Sequence, residues 1–341
     1  MKTRQNSKIR VGIIGLGVGK KHILAFNKHP GCQVTALCDF SDSRLSDAAE
    51  FCPDVMLTEQ ADQVLDNPDI DLVSIASYDN YHYEQIVRAL RNRKHIFVEK
   101  PLCLYSKQAF EIRKLLEKHP ELRLSSNLNL RTCPRFVHMK EAVGTGEMGD
   151  IYYSEGDYLW GRISKLTEGW RKDMEFYSIV YGAAVHMIDI IIWMTDKKPV
   201  EVQGYGNAIA SSGSDFKFND FAVILMKFED GSVAKVTGNG GCVHPHFHKL
   251  SIYGTKKTFS HNESGVKLWL GLDSGFESQQ ISEAYPANAE KGRVITSFVD
   301  SIIDPGKKAV VPDEDVFTTM SVCFAAEESI QKGQPVSVKY I

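Results

Sequence analysis

The chain has 341 residues, 43% of them hydrophobic and 24% charged, with a net charge of −3. This is the composition of a soluble globular protein long enough for two domains. It excludes a nucleic-acid surface and a polybasic membrane patch, because clusters such as Lys20-Lys21 and Arg91-Asn92-Arg93-Lys94 are short and read as solvated helix faces.

Up to Asn127, short apolar runs alternate with helical stretches. IRVGIIG (9–15) reads as a strand ending in glycines, and KKHILAFNKH (20–29) as a helix with apolar spacing at Ile23, Leu24 and Phe26. CQVTALCD (32–39) is a second strand, and SDSRLSDAAEF (41–51) a helix with a good N-cap. IDLVSIAS (70–77) is a third strand and YHYEQIVRALRNRK (81–94) a helix. HIFVE (95–99) is the fourth strand, broken by Lys100-Pro101, with a helix from about Ser106 and a fifth strand in LRLSSN (122–127). Buried strands alternating with helices predict an α/β domain with a doubly wound parallel sheet over 1–126.

After Asn127 the texture changes. A helix follows Pro134, GDIYYSEGDYLWGR (149–162) opens a β-rich half, and SIVYGAAVHMIDIIIWM (178–194) is a long apolar helix. VEVQGYGNAIA, FAVILMKF, SVAKVTGNGG and HKLSIYGT follow as strands, with an Asp-Gly hairpin turn in FEDGS (228–232). Helices around 290–303 and 313–332 and a last strand in PVSVKYI close the chain. Residues 127–341 are thus expected to form an α+β domain with a mostly antiparallel sheet.

The seven cysteines, at 32, 38, 52, 103, 133, 242 and 323, are scattered, odd in number and without a CxxC pair. No disulfide framework follows, and reduced thiols in a cytoplasm fit best. Met1 to Arg10 is polar and basic, and the glycine-broken VGIIGLGVG after it is a poor signal-peptide core. No twin-arginine pair occurs and no apolar run reaches membrane-spanning length, so no membrane partner is expected.

VGIIGLGVGKKH places Gly15-x-Gly17, followed by Val18, between the first strand and the first helix. Gly15 would make the tight turn and Gly17 would let backbone approach a pyrophosphate held by the helix N-terminus. The third glycine of G-x-G-x-x-G falls on Lys20, with Gly19 one residue early, so the motif is incomplete. Asp39, 22 residues beyond Gly17, ends the second strand. A carboxylate there can accept hydrogen bonds from the ribose hydroxyls and repels a 2′-phosphate, favouring NAD over NADP. In an open parallel sheet, ligands bind outside the carboxyl ends of the strands. Lys100 stands at such an end, held extended by Pro101. A fixed cation there can hydrogen-bond a substrate hydroxyl and stabilise the alkoxide that forms as hydride leaves. Glu99 would position it or contact the cofactor. A surface salt bridge is the plain alternative.

Glu99-Lys100-Pro101 after such a strand resembles the glucose–fructose oxidoreductase/inositol dehydrogenase (Gfo/Idh/MocA) family. The opening strand and loop with His22, Asn127 to Pro134, Gly169-Trp170-Arg171, His186-Met-Ile-Asp189, IYGTKKTF and KGRVITSFVDSI fit the same family in order along nearly the whole chain. The resemblance implies a Rossmann domain followed by an open, mostly antiparallel sheet through which many members oligomerise. It also implies NAD(P)-dependent oxidation of a sugar, cyclitol or nucleotide-sugar hydroxyl. By that resemblance His186 is a catalytic acid/base or substrate-hydroxyl ligand, and Ser77, Tyr78, Asp79 and His82 lie toward the nicotinamide side of the cofactor. A core histidine satisfied by backbone, and helix capping by Asp79 or Asn80, are the alternatives.

Many sugar dehydrogenases of the family carry an Asp four residues before that histidine, where this chain has Gly182. The chemistry is then expected to rest on Lys100 and His186 or on a substitute group. Tyr181 is one candidate, although it points away from His186 on an ideal helix. Asp189 reads as structural. His244, His246 and His248 would share one face of a strand, which Pro245 interrupts. A sugar contact by one of them, here His246, is preferred there to a metal site, with ordinary strand residues as the plain alternative, and no metal is expected. Trp170, Arg171, Arg131 and Tyr158 are further substrate-side candidates, each with a structural ion pair or packing role as the alternative. Two other functions share these features: an NAD-binding sensor without turnover, and a reductase of a conjugated or aromatic substrate.

Overall fold

The computed structural model describes residues 8–270, 277–286 and 288–341, so residues 1–7 of the polar leader lie outside them. Two compact units form. One ends at Thr132 and takes in Ala289–Val316 and Ile341; the other covers Cys133–Asn288 and Phe317–Tyr340.

The first unit is built on β1 (Ile9–Ile14), β2 (Cys32–Cys38), β3 (Met56–Thr58), β4 (Leu72–Ile75), β5 (His95–Val98) and β6 (Leu124–Ser126). They pair in parallel in the order β3-β2-β1-β4-β5-β6. The chain crosses between them through α1 (Leu16–Lys28), α2 (Asp42–Ala49), α3 (Ala61–Leu65), α4 (His82–Arg91) and α5 (Ser106–Lys118). The order reverses between β1 and β4, which puts a ligand crevice at their carboxyl ends. β4 is buried throughout, as a strand covered by helices on both faces must be. β3 escapes the sequence pattern because three residues are too few to show a period.

The second unit opens with α6 (Pro134–Gly144), β7 (Ile151–Leu159) and α7 (Ser164–Thr167). A π-turn, Val180–Ala184, then leads straight into α8 (Val185–Thr195). Next come β8 (Pro199–Asn207), β9 (Phe221–Phe228), β10 (Val233–Asn239), β11 (Phe247–Gly254), β12 (Lys257–Asn262), β13 (Gly265–Leu270) and β14 (Glu277–Gln280). α9 (Arg293–Ile303), α10 (Asp313–Lys332) and β15 (Val336–Ser337) end the chain. Among the described residues the sheet runs β14-β13-β12-β11-β7-β10-β9-β8-β15, antiparallel except for the parallel β7–β10 pair. α8 is apolar nearly all round because it is buried nearly all round. The predicted Asp-Gly hairpin is present, with Gly231 at φ +84.

The boundary predicted at 126/127 lies close to the one at 132/133. α9 belongs to the first unit, because Val294, Ile295, Phe298 and Val299 are buried and Phe298 packs on Phe97 of β5 at 5.9 Å between ring centres. Among the described residues no helix is long and apolar enough to cross a membrane.

Candidate functional site

β1 delivers the chain to the crevice, and Gly15 makes the turn there at φ +86. A Cβ on it would lie 2.3 Å from the Ala76 carbonyl oxygen after β4, so no side chain fits. α1 starts at once, with no side-chain cap and no acidic residue in its first turn. Apart from the Leu16 N–H, which Asp39 takes, its opening N–H groups and its dipole suit an anion. A Cβ at Gly17 would meet nothing within 4 Å, which leaves the approach to those donors open. Val18 stands exposed on the same turn. Gly19 does the third glycine's packing task one position early, since a Cβ there would stand 3.1 Å from the Ile13 side chain. This cradle fits the pyrophosphate of a dinucleotide.

Asp39 is more enclosed than the sequence suggests, at 4% exposure. Its Oδ2 accepts from the Leu16 N–H at 2.7 Å and its Oδ1 from the Ser41 N–H at 3.0 Å. The carboxylate thus clamps the start of α1 to the end of β2. Each oxygen still keeps acceptor capacity. Arg44 stands 3.6 Å away with its guanidinium over the Phe40 ring, and Phe40 meets Tyr78 edge-on at 5.8 Å.

At the end of β5, Glu99 accepts at Oε1 from Asn127 Nδ2 at 2.6 Å and faces His22 Nε2 at 3.1 Å. The other His22 nitrogen meets the Ser74 hydroxyl of β4 at 2.9 Å. Burial pushes the Glu99 carboxyl up, but His22, Asn127 and the Lys100 ammonium outweigh it and hold it down at about 2. Lys100 is half-buried, and its peptide bond to Pro101 is cis. The lysine therefore stands beside an ionised carboxylate that His22 and Asn127 of its own unit hold at one oxygen.

His82, expected at the cofactor, takes a different part. Its ring is fully buried, with Nδ1 2.7 Å from the Pro101 carbonyl and Nε2 3.2 Å from the Ser77 carbonyl. It braces the segments that follow β4 and β5. The Ser77 hydroxyl is taken by Gln85 at 2.8 Å. Arg131 is 2% exposed, ion-paired with Asp315 and bonded to the Val310 carbonyl. Its charge is used inside the first unit, and we assign it no substrate contact.

In the second unit His186 lies in the first turn of α8 and is 8% exposed. Its ring meets Tyr158 of β7 edge-on at 5.7 Å and His248 of β11 at 6.2 Å. Tyr158 stacks on His248 at 4.4 Å, and its hydroxyl pairs with His246 Nε2 at 2.9 Å. Tyr285 was not singled out in the sequence, yet its hydroxyl lies 2.6 Å from His248 Nδ1 and accepts from the His248 N–H at 3.1 Å. Burial pushes its phenol up, so it stays protonated. The three histidines do not share a strand face: β11 begins only at Phe247, and His244 turns to Glu263 at 2.9 Å. Among the described residues no group of three or more His, Cys, Asp or Glu could hold a metal ion.

Arg171 lies over Trp170 at 4.3 Å, Trp160 at 5.4 Å and Tyr177 at 5.9 Å, a guanidinium boxed by aromatic faces. Tyr181 is buried, with its ring edge-on to Phe176 at 6.0 Å and to Phe324 at 5.8 Å. Asp189 accepts from the Thr319 hydroxyl of α10 at 3.0 Å and is structural.

Residues 9–127 match a family profile described as the Gfo/Idh/MocA oxidoreductase family, NAD-binding Rossmann fold. Residues 136–260 match the C-terminal domain of the same family. The myo-inositol 2-dehydrogenase of Thermotoga maritima is 21% identical over 344 residues, covering 98% of this chain and 99% of that protein. The structure of myo-inositol 2-dehydrogenase from Lactobacillus plantarum superposes with a TM-score of 0.83 at 24% identity, over 98% of this chain and all of the other. A levoglucosan dehydrogenase in complex with NADH superposes at 0.85 with 20% identity, over 98% of this chain and all of the other.

Proposed function

Because the chain belongs to the Gfo/Idh/MocA family of NAD-binding oxidoreductases, we propose that it is a dehydrogenase for a hydroxyl carbon of a cyclitol, sugar or nucleotide sugar. NAD, when bound, supplies the hydride acceptor. Gly15, Gly17, Val18 and the N–H groups of the first turn of α1 beyond the one Asp39 takes hold its pyrophosphate. Asp39 receives its ribose hydroxyls and disfavours a 2′-phosphate, while Ser77, Tyr78, Glu99 and Lys100 line the crevice near its other end. Lys100 donates to the substrate hydroxyl oxygen and stabilises the alkoxide that develops there. His186 takes the hydroxyl proton, as an imidazole near neutrality can. Tyr158, Trp170, Arg171 and His246 orient the substrate.

The observation that carries this assignment is the Glu99–Lys100 pair. A carboxylate kept ionised by His22 and Asn127 holds a counter-charge beside a lysine at the ligand end of a parallel sheet. A surface pair would need no such buried support. We also propose a cytoplasmic homo-oligomer formed through the second unit's sheet, where Tyr152, Tyr205, Leu225 and Val233 stand exposed. The test is turnover with NAD+ against myo-inositol, scyllo-inositol, levoglucosan and nucleotide sugars, followed by the absorbance of reduced nicotinamide. Turnover with one of them is expected. Tight NADH binding with no turnover across the panel would mean a sensor instead.

A further inference from the structure

We propose that Arg171 is a receptor for an oxyanion on the substrate, so that the sugar or cyclitol this chain oxidises carries a carboxylate or a phosphate. This rests on the dehydrogenase reading and narrows its substrate class. A guanidinium brings five N–H donors and a fixed positive charge. Among the described residues no carboxylate pairs with Arg171 and no oxygen accepts from it. Its Nε is sealed from solvent and still bonds nothing, while the side chain is only half-buried, so Nη1 and Nη2 remain open. The nearest acids along the chain, Glu168, Asp173 and Glu175, are all exposed. Arg131, the other arginine singled out in the sequence, has its charge met by Asp315.

Aromatic rings hold the group in place. Of the three around it, Trp160 and Tyr177 are themselves buried, and the ring of Tyr177 is packed in turn against Phe216 at 5.7 Å. Such faces offset part of the desolvation of a cation, but they give its N–H groups no oxygen. What remains is a fork of N–H donors, oriented in advance, whose geometry matches two oxygens of a carboxylate or phosphate. A cation partly stripped of water and left without a counter-charge is costly to keep, and a bound oxyanion supplies that counter-charge. The box adjoins the corner that holds His186. The Trp160 N–H donates to the Asn239 carbonyl at 2.9 Å, so the chain continues β7 there. Trp160 then falls on the same face as Tyr158, two residues earlier, whose ring meets His186 at 5.7 Å. On the other side, the Tyr177 oxygen fills the space that a Cβ on Gly182 would need, in the π-turn that runs into α8.

The test compares neutral probes, glucose and myo-inositol, with charged ones, glucuronate, glucose 6-phosphate and UDP-glucose, at saturating NAD+. At least one charged probe should exceed both neutral ones in kcat/KM by about ten-fold or more, the scale of one hydrogen bond to a charged group. Its KM should rise with added salt more than that of a neutral probe; this is read on the wild type and stands even where a variant does not fold. Arg171→Met keeps apolar bulk between the rings and removes the charge. It should lose at least about ten-fold more kcat/KM on the charged probe than on a neutral one. Arg171→Lys keeps the charge without the fork, and it should recover more activity on a phosphate than on a carboxylate, which tells the two oxyanions apart. With NADH bound, the charged probe should raise the melting temperature of wild type and not that of Arg171→Met. Neutral probes used as well as every charged one, or a wild-type preference in Arg171→Met, would overturn the receptor and leave the dehydrogenase assignment standing. Stabilisation by an anion through Arg171 with no turnover of any probe would support the receptor and overturn the dehydrogenase reading. Neither turnover nor stabilisation would overturn both.

Discussion

Replacing Glu99 by glutamine isolates a charge while keeping its shape. The amide oxygen can still accept from Asn127 and His22, which now meet Oε1 at 2.6 and 3.1 Å. In the folded chain the carboxyl sits at about 2 instead of 4.5. At ~1.4 kcal/mol per pH unit, that preference for the ionised form contributes about 3 kcal/mol to folding at neutral pH. The folded value is the lower one, so the contribution is complete above the unfolded value of 4.5 and drains away as pH falls toward about 2. Urea unfolding of wild type and Glu99→Gln, followed by circular dichroism in matched buffers, reads the gap directly. It should be about 3 kcal/mol near neutral pH and shrink to less than half of that by about pH 3. A gap that stays the same across that range would mean the carboxylate is not held ionised. The support proposed for Lys100 would fall with it.

Lys100→Ala should leave NADH affinity within a few-fold and cut turnover by ~10²-fold, the scale of one lost transition-state donor; unchanged turnover removes the lysine from the chemistry. His186→Ala should lose more activity near neutrality than at high pH, where hydroxide can replace a base, and a loss equal at all pH values points to positioning alone. Asp39→Ala should relax the preference for NAD over NADP. It should also weaken binding of both, because it frees the Leu16 N–H it clamps; an unaltered cofactor ratio counts against the ribose role. Leu225→Glu on the exposed sheet face should reduce the mass seen by light scattering, and a wild type that is already monomeric refutes the proposed interface.

Buried parallel strands are continuous apolar runs, so β1, β2, β4 and β5 were legible, and the glycine turn and Lys100 could be placed from them. Burial of single polar side chains was not legible. Arg131 looks like a substrate-side cation in the sequence but is enclosed with Asp315, and His82 occupies a cofactor-side position yet turns both nitrogens to backbone carbonyls. Such partners lie far along the chain or on backbone, where a motif carries no trace of them. The same holds for Tyr285, 37 residues from the His248 it bonds. Tyr177 is close to Gly182 in sequence, but their contact depends on the π-turn, which no apolar period announces. Pro245 did foretell that the three histidines would not share a ladder, and β11 starts after it.

The two borders of the second unit's sheet are guarded unequally. At one side β14 presents Glu277, Ser278, Gln279 and Gln280, all exposed and polar, a poor template for a stray strand. At the other, β8 is covered by the two residues of β15, by the tail after it, where Val338 N–H reaches the Val200 carbonyl and the Tyr340 hydroxyl the Pro199 carbonyl, and by α10, where the Ser329 hydroxyl accepts from the Gly204 N–H at 3.0 Å. Clipping that tail would lay bare the Pro199–Val202 start of β8, with the Pro199 and Val200 carbonyls left unpaired. Proteolysis or a bulky fusion at this end should therefore provoke cross-chain strand addition and precipitation, whereas the opposite border tolerates change.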